Sequence, residues 1–123
     1  MLVLSICVLA RGEVQRKTIE YRDGDTVLEG FLAWDPAKTG ESAPGVLVVH
    51  QWLGLTDCEK GRCRQLAELG YVAFALDIYG QGIRPDNMQD AAKLSGIYKS
   101  DRDLYRRRLN LGLEQLRKLP LVA

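Results

Sequence analysis

Two apolar runs separated by one helix-length segment constrain this chain more than any other feature. Val46, Leu47, Val48 and Val49 form the first run, and Val72, Ala73, Phe74, Ala75 and Leu76 form the second. Neither alternates with polar residues, which is the pattern of strands covered on both faces in a parallel sheet. Between them, Thr56 or Asp57 caps a helix expected to run to Leu69, where Gly70 supplies a left-handed exit. Strand, helix and strand in this order predict a right-handed βαβ unit.

The flanks extend this core in both directions. Val14 to Arg22 and Thr26 to Trp34 read as two strands joined at Asp23-Gly24-Asp25, an antiparallel hairpin closed by Asp35-Pro36. Ala37 to Ala43 is expected to be a polar loop. On the other side, Asp86 to Ser95 reads as a short helix broken at Gly96. Asp101 caps the longest helix, Arg102 to Leu119, which Pro120 ends. Tyr105, Leu109, Leu113 and Leu116 fall on one stripe of it, and Leu104 and Leu111 on a second. That is more apolar surface than one sheet contact requires.

Composition narrows the function classes. The 123 residues suit one domain. With 17 basic and 16 acidic residues the net charge is +1, so no long-range field recruits nucleic acid or membrane. Arg106-Arg107-Arg108 lies inside a predicted helix, points in three directions and is expected to be a solvated face. Cys7, Cys58 and Cys63 lack metal-ligand spacing. Five residues on a helix set Cys58 and Cys63 roughly 140° apart, so reduced thiols and no metal or other cofactor are expected. Met1 to Ala10 is uncharged and mostly apolar; it reads as an N-terminal strand or as a signal-peptide remnant. The first reading goes with a cytoplasmic protein, the second with an exported one.

Three segments carry a resemblance. His50-Gln51-Trp52-Leu53-Gly54-Leu55, then Arg64 to Ala73, then Leu76-Asp77-Ile78-Tyr79-Gly80 are similar to the dienelactone hydrolase family of α/β hydrolases, and the hairpin resembles that family's opening. The resemblance covers roughly residues 17 to 123. It implies an α/β three-layer fold with a mixed sheet in strand order 1-2-4-3-5, of which this chain holds the amino-terminal half. It further implies a cysteine nucleophile on a strand-to-helix elbow, a later aspartate and histidine, and an oxyanion hole whose first backbone donor maps onto Trp52. Gln51 stands where the family usually has glutamate. Gln81 stands where it often has a carboxylate-binding arginine.

The sequence holds no G-x-S-x-G or G-x-C-x-G, and the elbow would begin just beyond Leu119-Pro120-Leu121-Val122-Ala123. His50 is the one histidine and occupies the oxyanion-loop position, together with Gln51 and Trp52. A Cys–His pair assembled from His50 and Cys58 or Cys63 would need hydrogen-bond reach and a lowered thiol pKa. Gly80-Gln81-Gly82 lacks the third glycine of a dinucleotide loop and reads as a strand exit. Asp77 reads as an anchor for the following loop, with a catalytic acid as the alternative.

The expectation is therefore a truncated hydrolase-like domain, inactive alone. It is expected to be a homodimer, paired through the strand edge at Val46, Leu47, Val48 and Val49 and the last helix at Leu104 and Leu111, with Trp52 half-open in a shallow pocket. The alternative is half of a carboxylic-ester or lactone hydrolase completed by another chain.

Overall fold

A computed structural model describes residues 12–123, so the strand expected at Met1 to Ala10, and Cys7, lie outside the described residues. The elements run β1 (Gln15–Asp23), β2 (Thr26–Trp34), α1 (Pro36–Thr39), β3 (Gly45–Val48), α2 (Asp57–Glu68), β4 (Val72–Ala75), α3 (Met88–Ser100) and α4 (Arg102–Arg117). The four strands form one mixed sheet in the order β1-β2-β4-β3. β1 and β2 pair antiparallel from Asp23↔Thr26 to Gln15↔Trp34, β2 meets β4 antiparallel, and β3 lies parallel to β4.

Side-chain size sorts the two faces. On one face Leu28, Leu32, Phe74 and Leu76 are buried with Tyr21 and Leu116, and Tyr105, Leu109 and Leu111 of α4 pack against them. On the other face Ala73 and Ala75 leave room for α2, which closes on them through Cys63 and Ala67. Alternate residues of one strand serve opposite faces, so Phe74 supplies bulk to one layer while its alanine neighbours thin the other. Gly30 completes the fit: a Cβ there would lie 2.3 Å from the Phe74 ring.

Local chemistry sets the helix ends. Thr56, not Asp57, caps α2 in a capping box with Glu59, whose carboxylate accepts from Thr56 N at 2.9 Å and Thr56 Oγ1 at 2.8 Å. Burial pushes the Glu59 carboxyl up, but these bonds outweigh it and hold it below its ordinary value. Asp101 caps α4 through Leu104 N.

Four sequence expectations change. Residues 37–43 are not wholly loop, because Asp35 caps a single turn, α1, with Pro36 at its first position. α3 is capped by Asn87 and continues through Gly96 to Ser100. A mid-helix glycine costs only about 1 kcal/mol, too little to break a helix capped at its start and held beside α4. β3 lies at the sheet edge as expected, but its apolar run is not covered on both faces: Val46, Leu47 and Val48 are half-buried and Val49 is exposed. The arginine run is a solvated face only in part, since Arg106 and Arg107 are exposed and Arg108 is not. Arg108 is buried, Arg107 holds Asp23, and only Arg106 is free of these contacts.

On the outer side of β3 the chain's last residues add one rung. Ala43 N donates to Leu121 O and Ala123 N to Ala43 O, both at 2.9 Å, a parallel bridge between Ala43 and Val122. Pro44 O and Val48 O accept from β4. By alternation Gly45, Leu47 and Val49 turn their backbone groups outward.

Candidate functional site: the loop after β3

The path of residues 50–55 is fixed by bonds to the chain after β4. Ile78 N donates to His50 Nε2 at 3.1 Å, and His50 Nδ1 lies 2.7 Å from Gln51 O. The backbone N–H makes Nε2 an acceptor, so the proton sits on Nδ1 and is donated to Gln51 O. Gly54 N closes the turn onto the same carbonyl at 3.0 Å. Tyr79 OH donates to Trp52 O at 2.9 Å, and Arg84 Nε to Leu55 O. His50 packs edge-on against Tyr79, with ring centroids 4.8 Å apart. Burial lowers the His50 pKa below its ordinary value, partly offset by the bond to Gln51. A neutral imidazole with both nitrogens committed is a brace; it has no lone pair left for a thiol proton.

Asp77 anchors the facing loop. Its side chain is fully buried; Oδ2 accepts from Glu29 N at 3.0 Å and Oδ1 from Gly80 N at 3.1 Å, with Arg84 3.8 Å away. Asp77 N donates to the Tyr21 hydroxyl at 3.1 Å. The carboxylate thus ties β2, the end of β4 and the loop after it into one unit. Gln81 faces the hairpin, donating to Glu20 and Glu29 at 2.6 Å each, and Gly80-Gln81-Gly82 forms a strand exit.

The two described cysteines sit elsewhere. Cys63 is buried under α2, where desolvation pushes its thiol up to about 12, and Cys58 is exposed on the first turn of that helix. Neither thiol is hydrogen-bonded to His50, whose ring nitrogens are engaged by Gln51 O and Ile78 N.

Trp52 is 38% exposed and borders a pocket of about 290 Å³ between this loop, the end of β4, α3 and the start of α4. His50 and Gln51 line it too, and Trp52 N–H has no acceptor among the described residues. The sequence reading missed Tyr79, Tyr98, Lys99 and Tyr105, which form the opposite wall. Tyr98 and Tyr105 lie on different helices, and the only signal was two tyrosines flanking the Asp101 cap. Among the described residues no cluster of His, Cys, Asp or Glu could hold a metal, and no helix is long and apolar enough to cross a membrane.

The sheet order and the braced loop after its third strand define the amino-terminal part of an α/β-hydrolase fold. A family model described as the dienelactone hydrolase family matches residues 28–122, and the chain belongs to that family. Protein usf of Aquifex pyrophilus is 38% identical over 79 residues, covering 62% of this chain and 32% of that protein. The solved chain m3DLH is 35% identical with a TM-score of 0.86. A dienelactone hydrolase-like promiscuous phosphotriesterase from metagenomic libraries is 33% identical with a TM-score of 0.84. Each structural match covers 91% of this chain and 46% of the solved one, so the chain spans less than half the length of these relatives.

Proposed function

We propose that these 123 residues are the oxyanion-loop half of a carboxylic-ester or lactone hydrolase site, catalytically silent by themselves and assembled as a homodimer. The observation that carries the silent half-site is the pairing of an uncommitted Trp52 N–H with a fully committed His50. A free backbone donor on a braced loop suits the stabilisation of a developing oxyanion. A histidine whose nitrogens both hold the loop, and a thiol buried under α2 and pushed up to about 12, supply neither base nor nucleophile.

Incubated with p-nitrophenyl acetate or a small lactone, the purified chain is expected to give no turnover above buffer. Turnover that disappears in Cys58→Ala or Cys63→Ala would overturn the reading.

Self-association has its own support. The outward backbone groups of Gly45, Leu47 and Val49, on a short apolar edge, suit pairing across a twofold axis. Leu104 of α4 is half-buried and open to a partner, while Leu111 already packs on the core. A second reading, completion by another chain, is favoured by one observation: the single Ala43–Val122 bridge at this edge is parallel, the sense in which a further strand would run beside β3.

A further inference from the structure

The pocket beside the loop has chemistry that a silent half-site leaves unused. Trp52, Tyr79, Tyr98 and Tyr105 line it, and Lys99 is the only lysine or arginine among its described lining residues. The Tyr79 and Tyr98 rings lie 5.4 Å apart, inclined by 34°, so they form a continuous slanted wall. Burial first, and then the closeness of Tyr98 and Tyr105, push the Tyr79 phenol up, which places three hydroxyls in one neighbourhood. The Tyr79 hydroxyl is committed to Trp52 O, whereas those of Tyr98 and Tyr105, and the Lys99 ammonium, have no hydrogen-bond partner among the described residues.

Size and charge then select a ligand. A volume of about 290 Å³ is at the small end for a ligand site and suits one ring with a short polar arm. Four aromatic side chains favour a flat π-system over an aliphatic one. Such walls would also suit a cation, but the Lys99 charge opposes that. Gln81 takes no part, since it is turned to Glu20 and Glu29.

We propose that this pocket binds a single-ring aromatic carboxylate, its ring against Trp52 and the tyrosines and its carboxylate toward Lys99 and the free hydroxyls of Tyr98 and Tyr105. Binding here requires no hydrolysis and stands apart from the half-site reading.

The test is calorimetric titration of the purified chain with benzoate, benzyl alcohol and acetate. Benzoate is expected to bind saturably, benzyl alcohol more weakly, and acetate without detectable heat. Lys99 is exposed, so Lys99→Met retains the fold, which circular dichroism checks; it should weaken benzoate about fivefold and leave benzyl alcohol unchanged. Trp52→Ala, in an exposed loop position, should weaken both aromatic ligands. Benzoate binding no tighter than acetate, or unaffected by Lys99→Met, would overturn the proposal. Heat of binding is read independently of ester turnover, so failure here leaves the half-site reading standing, and the reverse also holds.

Discussion

At the scale of single residues, two buried polar groups do the positioning, and both give measurable consequences. His50 is held neutral, with a folded pKa below its ordinary value. The unfolded state therefore takes up a proton first as the pH drops. Its stabilising contribution is complete above about pH 6.5 and is lost as pH falls from there through the lower folded value. Urea midpoints recorded from about pH 8 down to about pH 5 should decline accordingly, and His50→Asn should flatten that decline. The Asp23 and Glu59 carboxyls are also held low, Asp23 chiefly by its hydrogen bond from Arg107, but their losses begin only below the ordinary carboxylate range. Asp77→Asn tests the anchor. Asn keeps the shape but turns an amide N–H₂ toward Glu29 N or Gly80 N, leaving a buried donor unpaired. A loss of about 1–3 kcal/mol is expected in urea unfolding. Trp52, Asp77 and His50 were all legible as notable positions; that His50 acts as a brace depends on Ile78 N, 28 residues away.

At the scale of elements, α4 carries the interactions that periodicity could not separate. Its arginine run looks uniform in sequence, yet rotation of about 100° per residue sends Arg106 to solvent, Arg107 toward Asp23 and Arg108 inward. Arg108 donates to Asp23 Oδ2 at 2.7 Å and to Ile78 O at 2.6 Å, clamping the hairpin turn and the β4 exit to one helix. Arg108→Met should cost about 1–3 kcal/mol by leaving the buried Ile78 carbonyl unpaired, while Asp23 keeps Arg107. Arg108→Lys should restore little, because an ammonium does not present the guanidinium's fixed fork to both acceptors. Gly112 lets α4 approach Leu76, just past the end of β4, closely. A Cβ there would sit 2.6 Å from Leu76 Cβ, a position with no freedom to swing away. Alanine gains about 1 kcal/mol in helix propensity, but overpacking a core costs about 1–3 kcal/mol. Gly112→Ala is therefore expected to lower the unfolding midpoint despite the better helix former.

At the scale of the whole molecule, the outer edge of β3 carries the proposed self-association. If the proposed pairing holds, light scattering should give twice the 13.8 kDa chain mass. Val49→Lys, at an exposed edge position, should convert the species to monomer without unfolding it. A monomeric parent would remove the homodimer from the reading. The sequence by itself determined the hairpin at Asp23 to Thr26, the two apolar runs with a capped helix between them, the two later helices and the family, because turns, caps and strand runs are written in neighbouring residues. It misjudged Gly96 and residues 37–43, where a small local cost or a single cap decided the outcome. Only the tertiary structure decided that β3 is half-exposed, that Arg108 is buried, and that Tyr79, Tyr98, Lys99 and Tyr105 wall one pocket with Trp52. Those facts depend on which strand lies beside which and on the angle at which two helices cross the sheet, and residues distant in the chain set both.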